Sequence, residues 1–123
     1  MKIISIYDPK LRFTGPRVAN LLERIYTSKW QLAAGRVRYG VMCNDEGVII
    51  DDGVTARVGE VEWYTTTTTS GASAVYEWMQ SGWGEGVHLT NVSQEYAAFN
   101  LAGPESLAVL QALTDADASA RKE

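Results

Sequence analysis

Apolar and polar positions alternate most clearly between Val48 and Val58. Successive side chains of a strand point to opposite faces. Val48, Ile50, Asp52, Val54, Ala56 and Val58 therefore share one face, and Ile49, Asp51, Gly53, Thr55 and Arg57 share the other. An apolar run, Arg36–Cys43, precedes this strand through Asn44-Asp45-Glu46-Gly47, and the pair reads as a hairpin. Further strands are expected at Ile3–Tyr7, Leu11–Thr14, Glu62–Thr69, Val87–Val92 and Tyr96–Leu101. Five consecutive threonines, Thr65 to Thr69, suit the pleated surface of the middle one.

Helical periodicity replaces alternation in three places. After Gly15-Pro16, the residues Val18, Leu21, Leu22 and Ile25 form one apolar stripe, with Pro16 suited to a helix start. Ser70 is placed to cap a helix over 72–80, with Val75, Tyr76 and Met79 facing inward. A third helix is expected over Pro104–Leu113. Trp30 and Leu32 are expected to pin the Thr27–Gly35 connection to the core, and Gly82–Gly86 reads as a loop. Short hairpin connections without βαβ alternation predict an α+β fold with a mostly antiparallel sheet and two to three helices. The chain also echoes itself: Phe13-Thr14-Gly15-Pro16 returns as Leu101-Ala102-Gly103-Pro104, and Leu21, Leu22 and Ile25 as Val109, Leu110 and Leu113. One complete structural unit, about 1–86, is expected to be followed by the opening of another, about 87–115, and a flexible tail, 116–123.

Composition adds limits rather than a function. The 123 residues are one domain's worth of chain, and no apolar run is long enough to span a bilayer. A single cysteine, Cys43, excludes an internal disulfide and a cysteine-based metal cluster and fits a reducing, cytoplasmic setting. The net charge of −4 is unevenly distributed: residues 1–40 hold eight Lys or Arg against two acids, the remainder three against thirteen. No basic stripe with interleaved aromatics is present, so nucleic acid is not an expected partner.

No nucleophile–base constellation and no metal-ligand spacing stands out around His88, the one histidine, or Cys43. The distinctive feature is Asp52 on an otherwise apolar face. A lone buried carboxylate is costly, so such a residue is usually paired, protonated or functional. Asp51 reads as a solvated acid near Arg57, and a bulge at Asp52-Gly53 would turn Asp52 outward instead. Trp30, Tyr39, Trp63 and Tyr64 could wall an aromatic ligand, and a carboxylate beside them suits amine or folate chemistry better than phosphoryl transfer.

Several motifs together carry a resemblance. Gly15-Pro16, Arg24-Ile25-Tyr26-Thr27, Gly35-Arg36-Val37-Arg38-Tyr39-Gly40, the Asn44–Gly47 turn, Asp51-Asp52-Gly53-Val54-Thr55-Ala56-Arg57, the threonine run with Ser70-Gly71-Ala72, and Asn100–Pro104 resemble the N-terminal part of the glycine-cleavage T-protein (aminomethyltransferase) family. The threonine run and Asp-Asp-Gly-Val-Thr-Ala-Arg are most similar to the folate domain of the sarcosine oxidase α subunit. The resemblance implies tetrahydrofolate as cofactor and transfer of a methylene group from an amine-linked carrier or imine. It assigns the key carboxylate to Asp52, as proton mover and electrostatic stabiliser, and folate contacts to Tyr39, Thr67 and Thr68. It also implies a duplicated unit whose opening strands are exchanged between copies, of which this chain holds the first and the start of the second. A homodimer or a complementary subunit would then complete the site, with little or no turnover by the chain alone. The alternative is a non-catalytic assembly module or a fragment that keeps the fold.

Overall fold

The computed structural model describes residues 2–6 as backbone, and residues 9–69, 71–80 and 85–119 in full. The elements run β1 (Lys2–Ile6), β2 (Lys10–Thr14), α1 (Val18–Ile25), β3 (Val37–Cys43), β4 (Ile49–Arg57), β5 (Glu62–Thr66), α2 (Ala72–Gln80), β6 (His88–Asn91), β7 (Ala98–Ala102) and α3 (Ser106–Leu113). Every named strand pair is antiparallel, which gives the α+β class that the hairpin spacing implies. The expected cap at Ser70 and most of the Gly82–Gly86 loop lie outside the described residues.

Two compact units divide the chain: Asp8–Tyr96, and Met1–Tyr7 with Ala97–Glu123. In the larger unit the strands stand in the order β3-β4-β5-β2-β6. Leu11 and Phe13 of β2 and Trp63 of β5 turn to one face of this sheet, where Val18, Leu21, Leu22 and Ile25 of α1 and Val75 and Met79 of α2 bury them. Trp30 and Leu32 do enter this core. Each such fully buried apolar side chain contributes about 1.5–3 kcal/mol, so the α1 stripe alone outweighs the weak helix tendency of eight residues. The hairpin turn forms as its residues suggest. The Asn44 side-chain oxygen accepts the Val48 N–H at 2.8 Å, and Gly47 adopts φ 80°. The threonine run is only partly strand: β5 ends at Thr66, and Thr67 to Thr69 lead into α2.

In the smaller unit, β1 pairs with β7, matching Lys2 to Ala102 and Ile6 to Ala98. The internal echo is structural. Gly15 and Gly103 take φ 137° and 140°, and α1 and α3 each run eight residues. Equivalent amide bonds, Leu21 to Arg17 and Val109 to Glu105, both measure 3.0 Å. The opening strands are crossed within the chain, since β6 pairs with β2 while β1 pairs with β7. The two copies differ in what covers them. All four stripe residues of α1 are buried, whereas α3 has no buried residue and Leu113 is 78% exposed.

The main correction concerns β4. Asp51 is the buried carboxylate, 3% exposed, and Asp52 is only partly covered on the opposite face. The apolar alternation marks the open face instead, where Val54 and Val58 stay exposed. The core face of β4 is built from Asp51, Gly53, Thr55 and Arg57 because each polar group there finds a partner. Thr55 and Thr65 share a hydroxyl–hydroxyl bond across β4 and β5. Arg57 donates to the carbonyls of Leu32 (2.6 Å), Gly59 (3.2 Å) and Glu60 (2.7 Å), and its guanidinium lies 5.3 Å from the Trp63 ring centre. Satisfied in this way, polar side chains are no obstacle to burial. The bulge falls at Ile50 rather than at Asp-Gly: Met42 faces Asp51 and Cys43 faces Ile49, so Ile50 has no partner on β3.

Candidate functional site

The open face of the large sheet is assembled from alternate residues of neighbouring strands. Across β3 and β4, Tyr39 stands opposite Val54 and Val41 opposite Asp52. Tyr39 thus sits diagonally from Asp52 on the same face, close enough for its phenol to donate a hydrogen bond to Asp52 Oδ2. That bond is the main cause that pushes the Tyr39 pKa up from its ordinary value, with a smaller contribution from desolvation. Apolar strand residues floor the pair: Val37 and Val54 are exposed on either side.

A flat heterocycle with N–H donors would find an acceptor in Asp52, a stacking surface in Tyr39 and an apolar floor beneath both. The chemistry of this set therefore fits a pterin-like group. The other assigned residues divide. Thr67 is 2% exposed and faces the core, away from Asp52. Thr68 is exposed at the start of the connection to α2, but its hydroxyl is committed: it donates to Asp51 Oδ1 at 2.5 Å, while its N–H donates to the same carboxylate at 3.2 and 3.4 Å. Tyr39 and Asp52 are brought together; Thr68 is brought to Asp51 instead. Of the four aromatics read as possible walls, Trp30 and Trp63 are core residues, while Tyr39 and Tyr64 face the open side. Cys43 is half-buried, and His88 lies exposed on β6.

Sequence reasoning missed the Asp51–Thr68 clip. The carboxylate lies beside the turn that opens α2, within 3.4 Å of the place a Gly71 Cβ would occupy, so it also meets the positive end of that helix. It missed the buried hydroxyl cluster as well. Tyr26 approaches Thr65 Oγ1 at 3.3 Å, next to the Thr55–Thr65 bond, and burial above all raises the Tyr26 pKa. Arg24-Ile25-Tyr26-Thr27 stands out as a motif, but nothing in its spacing points to two threonines 29 and 39 residues onward from Tyr26. Among the described residues, no cluster of three or more His, Cys, Asp or Glu could hold a metal ion. No helix among them is long and apolar enough to cross a membrane.

A mostly antiparallel sheet with helices on one face, and an open face bearing Tyr39 and Asp52, define an α+β fold of three helices. Comparison with known proteins places it. The family described as the GCVT N-terminal domain matches residues 8–122, and the chain belongs to that family. Over 110 residues it is 40% identical to the sarcosine oxidase subunit alpha of Corynebacterium sp. (strain P-1), covering 85% of this chain and 11% of that protein. Over 108 residues it is 38% identical to the aminomethyltransferase of Herpetosiphon aurantiacus, covering 85% of this chain and 29% of the relative. In fold it is similar to the glycine cleavage system aminomethyltransferase T from Bartonella henselae, with a TM-score of 0.79 at 20% identity over 89% of this chain and 31% of the other. The chain thus spans about a tenth to a third of the proteins it matches.

Proposed function

We propose that the chain binds tetrahydrofolate on the open sheet face and serves one-carbon, methylene-level transfer, with Asp52 as the proton-moving carboxylate. Membership of the GCVT N-terminal domain family supports the class of reaction. The observation that carries the assignment to this face is the Tyr39–Asp52 bond on an apolar floor. Tyr39 and Asp52 would hold the folate there, and its nitrogen would be the acceptor of the one-carbon unit. Tyr39 stacks against the ring and keeps Asp52 oriented. Asp52 would face the one-carbon unit, where a carboxylate can stabilise positive charge and accept or return a proton. Thr68 contributes acceptor lone pairs only, because its own hydrogen goes to Asp51.

The exposed apolar stripe of α3 and the bare sheet face favour completion of the site by a second copy of the chain or a complementary subunit. A thermal-stability titration with tetrahydrofolate tests the reading. The expected result is a concentration-dependent rise in Tm that Asp52→Asn and Tyr39→Phe reduce and Asp51→Asn reduces less, relative to each variant's own baseline. No shift at millimolar tetrahydrofolate, whether the chain is alone or self-associated by light scattering, would leave the assembly-module reading standing instead.

A further inference from the structure

The open face carries a second feature, away from Asp52. Four residues along β4 from Asp52, about 13 Å at 3.3 Å per residue, Ala56 begins a row that continues through Tyr64 on β5 to Arg12 on β2. Ala56, Val58, Tyr64, Tyr96, Arg12 and Glu62 line a cavity of about 360 Å³. Tyr64 and Tyr96 form one wall as an edge-to-face pair, with ring centres 5.4 Å apart and planes at 78°. Arg12 sits on β2, an interior strand of the sheet, and is partly buried. Its guanidinium makes no ion pair or hydrogen bond with another described residue, and neither does the Glu62 carboxylate. The register puts Glu62 opposite Thr14, two residues along from the Tyr64–Arg12 pair, so the two charges lie diagonally on one face at a Cα separation of about 7–8 Å.

The Arg12 stem lies against an apolar and aromatic floor while its guanidinium reaches the cavity, so its fork is placed to take an anion there. A carboxylate is the planar anion whose two oxygens match its fork. A plain carboxylate would be repelled by Glu62 at the same rim, so the ligand must also present a positive group or a strong donor on that side. The geometry points to an amino-carboxylate site: a small zwitterion whose carboxylate binds Arg12, whose ammonium binds Glu62, and whose apolar body lies on Tyr64, Tyr96 and Val58. Tyrosine rings next to the ammonium add cation–π attraction. This site is independent of the folate reading, shares no residue with the Tyr39–Asp52 pair, and stands or falls without it.

Titration of the whole chain with three probes, followed by NMR, tests the site. L-phenylalanine carries both charges and a ring, 3-phenylpropionate lacks the ammonium, and phenethylamine lacks the carboxylate. L-phenylalanine is expected to bind most tightly, with saturable shifts at the Arg12, Tyr64 and Tyr96 amides. Arg12→Gln should weaken it at least tenfold and Glu62→Gln at least threefold. Glu62→Gln should at the same time tighten 3-phenylpropionate, because the repulsion is gone. The inference is overturned if L-phenylalanine gives no saturable shifts at those three amides, if 3-phenylpropionate binds the unmodified chain as tightly, or if Arg12→Gln leaves the affinity unchanged. Shift mapping and probe ranking on the unmodified chain decide the matter even if a variant fails to fold.

Discussion

Replacing Asp51 by Ala tests the reassignment of the buried carboxylate. Asp51 is 3% exposed and accepts the Thr68 N–H and the Thr68 hydroxyl. Hydrogen bonds to a charged group are worth about 1.5–3 kcal/mol, and a buried donor left without a partner costs about 1–3 kcal/mol. Thr68 itself is exposed, so water can rehydrate part of what it loses. The interaction with the α2 N-terminus adds about 0.3–1 kcal/mol. A net loss of about 2–3 kcal/mol follows for Asp51→Ala. Asp52→Ala removes one bond to an exposed tyrosine and should cost well under about 1 kcal/mol. Urea unfolding read by tryptophan fluorescence gives both values. A double-mutant cycle between Asp51→Ala and Thr68→Ala should return about 1–2 kcal/mol of coupling. The reasoning is refuted if Asp52→Ala is the more damaging change, or if the cycle shows the Asp51 and Thr68 effects to be additive.

Other outcomes follow from the same contacts. A Cβ at Gly53 would lie 2.0 Å from the Thr66 carbonyl oxygen, so Gly53→Ala must part β4 from β5; about 2–3 kcal/mol of lost stability is expected in the same urea assay. Burial raises the Tyr26 pKa, so its contribution to stability is complete below the unfolded-state value of about 10 and falls as pH climbs through the folded value; Tyr26→Phe should flatten that alkaline decline while costing about 1 kcal/mol at pH 7. The equivalent amides of Leu21 and Val109 have equal hydrogen bonds but unequal cover, so hydrogen exchange measured by NMR should be far slower at Leu21. Equal protection at the two sites would mean that the α3 face is covered in solution.

Local pattern sufficed for the elements and for the β3–β4 hairpin. Gly-Pro starts, the i, i+3, i+4, i+7 stripes and the Asn44–Gly47 turn are properties of neighbours in sequence, and the structure keeps them to within a residue or two. The repeat was equally visible, since like sequences take like backbones: Gly15 and Gly103 share their φ and α1 and α3 their length. Alternation along β4 showed that two faces exist and which residues share each, but it could not say which face α1 and α2 would cover. That depends on Trp63, Phe13 and the α1 stripe lying on the side of Thr55, a fact of packing between segments far apart in sequence. The pairing of Asp51 with Thr68 and of Arg57 with three loop carbonyls arises in the same way. A polar residue reads as exposed until a distant partner satisfies it, and only the tertiary structure supplies the partner. Asp52 stands among apolar residues in sequence because that face of β4 lies open, not because it is the core.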